Sequence, residues 1–223
     1  MMKEKLILGI SGSPRKGANT EIALEAALEE AAKTENIRTE IIYLRDYPNI
    51  HPCLGCFCCC SEAAERDHGS HACPAYKDDD MNLIYPKLLA CDGLILASPV
   101  YFGNVTGTMK TFMDRTEGLL RYGRSRYGYG LQHKVGGALA VGGNRNAGEE
   151  FTIAAMQYFF MIHDMIVVGS GGQPTPGCYL GGAATTWPND KSKSHDAVLN
   201  DTLGLNSCRN LGKNVAQTVL RMK

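Results

Sequence analysis

The sequence has no long hydrophobic run and no surplus of either charge. Lys+Arg and Asp+Glu are both 23 among 223 residues, a formal net charge of zero. With no basic arm or stripe, nucleic acid is not expected as the main partner. The first apolar segment, Leu6 to Ile10, is too short to cross a bilayer, and no signal-peptide cleavage pattern follows it. A cytoplasmic location without a membrane partner is the expectation. There is no internal repeat and no low-complexity tail. The chain also lacks the G-x-G-x-x-G of dinucleotide sites and the G-K-[ST] of nucleotide triphosphatases.

What is present is an ordinary globular composition, 44% hydrophobic and 21% charged. The length suits one domain over 1–223, with elaborated loops at about 45–79 and about 170–199. Short apolar runs at Leu6–Ser11, Thr39–Leu44, Gly93–Ser98, Val135–Val141 and Met165–Gly169 read as strands. Between them, helical spacing appears at Asn19 to about Lys33, from a cap at Asp80 to about Cys91, near Gly107–Glu117 and at Glu149–His163. A last helix runs from Leu199 to Arg221. Alternation of this kind predicts an α/β fold with a parallel sheet covered by helices on both faces. Five strands fit the flavodoxin-like doubly wound order 2-1-3-4-5.

In such a sheet, ligands bind beyond the carboxyl ends of the strands. After the first strand comes Ser11-Gly12-Ser13-Pro14-Arg15-Lys16-Gly17-Ala18-Asn19-Thr20. Its glycines allow close backbone approach. Its hydroxyls, amide, guanidinium and following helix N-terminus favour an anion, so it reads as a cradle for a single phosphate. After the third strand, Pro99-Val100-Tyr101-Phe102-Gly103-Asn104 sets two aromatics on a proline-stiffened turn, suited to a flat ring. After the fourth comes Gly142-Gly143-Asn144-Arg145, polar and rich in backbone donors. A phosphate end and a planar end in one pocket describe flavin mononucleotide (FMN).

Five of the nine cysteines crowd into one loop: Cys53, Cys56, Cys58, Cys59 and Cys60, with Cys73 beyond a polar stretch. Loops as long as Arg45–Asp79 are usually functional or disordered. Cytosolic thiols are normally reduced, so a ligand set or redox site is expected rather than disulfides. Cys53-x2-Cys56-x2-Cys59 is compact enough to wrap a cubane cluster. His51, His68 and His71 would also allow a zinc site, and free redox-active thiols are the third reading. Cys58 and Cys60 leave the third position open among neighbours. Cys91, Cys178 and Cys208 read as structural, and Lys110 with Asp114 as a solvated helix pair.

The loop Ser11–Thr20, Asp78-Asp79-Asp80-Met81 and Ser98–Gly103 together resemble the NADPH-dependent FMN reductase superfamily. So do Lys110 with Asp114-Arg115, Gly142–Arg145, and His163-Asp164-Met165-Ile166-Val167-Val168-Gly169. The cysteine loop after the second strand is similar to that of the iron–sulfur flavoproteins within it. The resemblance implies that Ser11, Ser13, Arg15, Asn19 and Thr20 hold the FMN phosphate. It places the ring against Pro99, Val100, Tyr101, Phe102, Gly103, Asn104, Gly142, Gly143, Asn144 and Arg145. It implies a [4Fe–4S] cluster on Cys53, Cys56, Cys59 and Cys73. The thirteen residues between Cys59 and Cys73 exceed the usual gap, and Ser61–Glu65 could form a short helical insert there. The implied function is a flavin-dependent oxidoreductase passing electrons between cluster and FMN, with no protein acid or base assigned to catalysis. The implied donor is a ferredoxin-like protein or NAD(P)H, and the acceptor a quinone or small molecule. The implied assembly is a homodimer or homotetramer. A cluster-free NAD(P)H-dependent FMN or quinone reductase is the alternative, and a non-enzymatic flavin-binding module the third. The Gly/Pro-rich loop, with Tyr179 and Trp187, would cover a neighbouring subunit's flavin or make an oligomer contact.

Overall fold

The first strand shows why this chain forms a two-faced sheet. In β1 (Lys5–Ser11), Leu6, Leu8 and Ile10 join the hydrophobic cluster on one face, while Ile7 joins the cluster on the other. A strand buried on both faces needs the continuous apolar run seen in the sequence. The computed structural model describes residues 4–60, 73, 75–76, 78–120, 130–144, 146–172, 178–186 and 194–222. The expected insert at Ser61–Glu65, His68, His71, Arg145 and Trp187 lie outside them, as does the side chain of Cys60.

The other strands are β2 (Ile37–Tyr43), β3 (Gly93–Pro99), β4 (Val135–Gly142), β5 (Ile166–Val168) and β6 (Gly182–Thr185). The main path runs β2-β1-β3-β4-β5, the expected order, and every pairing is parallel. The difference is β6, a sixth strand inside the Gly/Pro-rich stretch. β5 pairs only Val135–Gly137 of β4, and β6 takes up Leu139–Gly142.

Among the described residues, five helices cover the sheet: α1 (Asn19–Ala32), α2 (Met81–Ala90), α3 (Gly107–Arg115), α4 (Glu149–Ile162) and α5 (Thr202–Arg221). On one face α1 and α5 contribute Leu24, Leu28, Leu211 and Val215. On the other, α2, α3 and α4 contribute Ile84, Leu88, Phe112 and Phe160. Phe112 and Phe160 are fully buried. Burying one such side chain is worth about 1.5–3 kcal/mol. No described helix is long and apolar enough to cross a membrane.

One cap differs from expectation. Asp80 starts α2 without a side-chain cap. Asp79 supplies it instead, its Oδ1 accepting the Met81 N–H at 2.8 Å. Asp80 Oδ2 accepts from Asn49 N at 2.9 Å, back across the loop.

Candidate functional site

Among the described residues, two of the cavities carry the residues that the sequence marks as candidate ligands. The first, about 380 Å³, is lined by Ser13, Arg15, Asn19 and Thr20 from the loop after β1. Pro99, Val100 and Tyr101 follow from the turn after β3, and Gly142, Gly143 and Asn144 from the turn after β4. Thr186, just past β6, closes the wall. Three loops that are far apart in sequence thus meet because their strands are neighbours in the sheet.

The loop after β1 is held by its own hydroxyls. Gly12 N–H continues the ladder by donating to Ala97 O at 2.8 Å. Ser11 is fully buried and its Oγ accepts from Ser13 N at 3.2 Å, so it shapes the turn from beneath. Ser13 Oγ accepts from Arg15 N and donates to Arg15 O, both at 3.2 Å. Gly12 has little choice of residue: an added Cβ would stand 2.8 Å from Met109 Cβ. Asn19 is spent within the protein, with Nδ2 donating to Ser194 O and Oδ1 accepting from Val198 N. The α1 start falls on Ala18, which offers no side-chain cap. A helix start lined by buried Ser13 and Thr20 and left without a side-chain cap suits a phosphate. Pro99, Val100 and Tyr101 add apolar and aromatic side chains to the lining, and among the described residues nothing stands within 4 Å of where a Gly143 Cβ would project. These residues fit FMN.

The turn after β3 is tighter than the sequence suggests. Tyr101 and Asn104 exchange two backbone hydrogen bonds, at 2.9 and 3.0 Å. Phe102 and Gly103 between them have φ of 52° and 70°. Two positive φ values in a two-residue turn are the I′ arrangement, in which a bulky side chain is strained. Phe102 is accordingly turned out, 109% exposed, and does not line the cavity. Asn104 lines the second cavity, so one four-residue turn serves both.

The second cavity, about 590 Å³, brings together Cys53, Cys56, Cys59 and Cys73. Its remaining wall is mainly apolar, from Leu54, Phe57, Met113, Leu120 and Phe159 among others. Cys58 is exposed, does not line it, and lays its sulfur 3.8 Å from Cys56 O. None of the eight described cysteines is in a disulfide. The Cys58 backbone N–H holds the Cys56 thiol below the usual thiol range, while Cys58 itself is pushed up by its hydrogen bond to Cys56. Among the described residues no three His, Cys, Asp or Glu side chains already converge on one point. Four thiols in one apolar pocket nonetheless form the donor set that an iron–sulfur cluster takes. Thiolates on an irregular loop are drawn into a shared geometry when a metal binds, because binding and folding are coupled.

Behind the cysteines lies a polar floor that the sequence did not single out as functional. Arg115 Nη1 meets Asp79 Oδ2 at 2.5 Å, with both side chains almost wholly buried. Burial pushes the Asp79 carboxyl up, but Arg115 and the Met81 and His51 N–H groups outweigh it and hold it below its usual range. Nearby, His163 is buried and its Nε2 lies 2.8 Å from Thr116 Oγ1. That hydroxyl donates to Met113 O, so Nε2 carries the proton. Burial lowers the His163 pKa to about 4. Lys110 and Asp114 form the expected solvated pair, at 2.5 Å. Cys91 and Cys208 are buried, and burial pushes both thiols up to about 12.

Sheet order and the three loops that converge on the first cavity fit a flavodoxin-like FMN-binding redox protein. The family described as NADPH-dependent FMN reductase matches residues 6–174. An iron–sulfur flavoprotein of Methanocaldococcus jannaschii is 42% identical over 217 residues, 97% of this chain and 98% of that one. An iron–sulfur flavoprotein of Methanosarcina thermophila is 44% identical over 163 residues, 73% of this chain and 76% of that one. Among solved structures, an oxidoreductase from Corynebacterium diphtheriae superposes with a TM-score of 0.63 at 15% identity, over 100% of both chains. A flavone reductase superposes with 0.65 at 18% identity, over 96% of this chain and 63% of that one. These two likenesses are of fold. The chain belongs to the NADPH-dependent FMN reductase family, grouping there with the iron–sulfur flavoproteins, and is a flavin-dependent oxidoreductase.

Proposed function

We propose that this protein is an iron–sulfur flavoprotein in which electrons pass between a [4Fe–4S] cluster on Cys53, Cys56, Cys59 and Cys73 and an FMN in the first cavity. The observation that carries the reading is the Tyr101–Asn104 turn. Tyr101 lines the phosphate-loop cavity and Asn104 the cysteine cavity. When bound, the flavin supplies one- and two-electron chemistry and the cluster one-electron chemistry.

The protein's own part is binding and orientation. Ser13, Arg15 and the α1 start would hold the phosphate. Pro99, Val100 and Tyr101 would flank the ring, with Gly142, Gly143 and Asn144 offering backbone and amide donors. Ser11 would support the phosphate turn from below, and Asn19 would brace it against the 194–198 segment. No side chain is assigned a proton transfer. The proposed donor is a ferredoxin-like protein or NAD(P)H, and the proposed acceptor a quinone or other small molecule.

A second copy of the chain is the proposed structural partner. Phe151, Tyr158 and Ile162 are exposed along α4, and Leu54 and Phe57 are exposed on the cysteine loop. With Tyr158 and Ile162 also lining the cysteine cavity, this apolar stripe runs to its mouth. A homodimer or homotetramer would cover it.

Anaerobic purification with iron, sulfide and flavin analysis tests the function. About four irons and one FMN per chain are expected. An iron-free, FMN-containing protein from the same preparation would leave a cluster-free NAD(P)H-dependent reductase as the reading.

A further inference from the structure

The cysteine stretch enters beside His51 and leaves beside Asp79, and one ion pair joins both ends. Asp79 Oδ2 accepts the His51 N–H at 3.1 Å and Arg115 Nη1 at 2.5 Å. The same Nη1 donates to His51 O at 2.8 Å. Arg115, the last residue of α3, therefore holds the two ends of the loop to a rigid helix. Tyr76 packs into the same junction. Its ring stacks on His51 at 4.6 Å and lies 5.2 Å from the guanidinium carbon.

One nitrogen of that guanidinium is left over. Among the described residues, Arg115 Nη2 is buried and finds no hydrogen-bond partner, and the residue is only 3% exposed. Arg115 stands in the wall of the cavity that holds Cys53, Cys56, Cys59 and Cys73. A buried charged donor without an acceptor is costly, so a group that supplies one there would be stabilised. Thiolate and sulfide sulfurs are such acceptors. Hydrogen bonds to them are among the levers that set a cluster's potential.

We propose that Arg115 is a positioning residue for the group held by the four cysteines. Nη1 closes the loop through Asp79 and His51, and Nη2 donates to the sulfur set. Lysine could not do both, because it presents a single nitrogen on a flexible stem. This inference rests on the cluster reading above.

The test compares the anaerobically loaded parent with Arg115→Lys and Arg115→Met. The readouts are iron release to a chelator, the midpoint potential of the cluster, and FMN affinity. Arg115→Lys is expected to release iron about tenfold faster and to show a lower potential, because a donor that favours the reduced, more negative cluster is lost. Arg115→Met should exceed it in both, and FMN affinity should stay within about twofold of the parent in each. Asp79→Asn breaks the loop closure but keeps the guanidinium, so it should speed iron release without lowering the potential. A folded Arg115→Lys whose potential and release rate match the parent overturns the proposal. So does one whose release rate alone changes, since that reports a purely structural tie. If Arg115→Met does not fold, Arg115→Lys decides. A parent that carries no iron sinks the cluster reading itself, which is a separate result from any variant's.

Discussion

The two cavities are built in opposite ways. The first cavity lies where strands end, and its loops are fixed by the ladders of β1, β3 and β4. The cysteine cavity takes its thiols from an irregular loop, tied down at its base by Arg115 and Asp79, and part of its remaining wall from α3 and α4. A pocket of the first kind exists before its ligand arrives. One of the second kind depends on one buried contact and on whatever its thiols bind. Damage to one should therefore spare the other.

The largest expected effect breaks that comparison on the cysteine side. Asp79→Ala removes one partner of a buried ion pair and leaves Arg115 uncompensated, which typically costs about 3–5 kcal/mol. Urea unfolding should show the loss, and the cysteine loop should become susceptible to limited proteolysis. If the comparison is right, the surviving folded fraction still binds FMN with nearly parental affinity.

The next effect is one of pH. His163 has its folded pKa lowered to about 4 from an ordinary 6.5. The unfolded chain therefore binds more protons between these values, and stability rises with pH across the window. The contribution is complete above about pH 6.5 and is lost as the pH falls toward about 4, with a ceiling of about 3 kcal/mol. Urea midpoints at pH 7.5 and pH 4.5 should differ more for the parent than for His163→Gln. Equal differences would place the acid sensitivity elsewhere.

On the flavin side, Arg15→Ala should weaken FMN binding about tenfold, or ~1.4 kcal/mol, with iron content unchanged. Flavin fluorescence titration reads it directly, and an unchanged affinity would remove Arg15 from the phosphate site. The smallest effect is a gain. Phe102→Asn creates the Asn-Gly pair that I′ turns favour and relieves a bulky residue at φ 52°. About 1 kcal/mol of added stability is expected, measured by thermal unfolding. A loss instead would show that the exposed ring is packed against something in solution.

The same contrast explains what could be read from the sequence. Strand order and the meeting of the Ser13–Thr20, Pro99–Tyr101 and Gly142–Asn144 loops at one cavity were legible because they follow from local signals: apolar runs, glycines and hydroxyls at a strand's end. The Lys110–Asp114 pair was legible because helix geometry sets four-residue neighbours together. Arg115 and Asp79, by contrast, lie 36 positions apart and meet only once α3 and the start of α2 are in place. Their motifs Asp78–Met81 and Asp114-Arg115 were visible, but their contact was not. Asp79 rather than Asp80 caps α2 because the chain turns one residue earlier than the run of three aspartates suggests. β6 escaped because Gly182–Thr185 is short and made of small residues. Its place depends on a close fit, with a Gly182 Cβ projecting to within 2.8 Å of Leu139 Cβ. Thr186 was missed with it.

That sixth strand divides a task usually given to one. β5 stops level with Gly137, seals the core at the near end of β4, and never reaches the ligand edge. β6 runs level with Gly142 and delivers Thr186, whose N–H and hydroxyl close on Gly142 O and Gly143 O. Core sealing and pocket furnishing are thus assigned to separate pieces of chain, joined by a long excursion whose closure entropy grows only slowly with length. The side chain of Thr186, which lies past the last paired residue of β6, can consequently be changed to reshape the wall of the first cavity without disturbing the β4–β6 register.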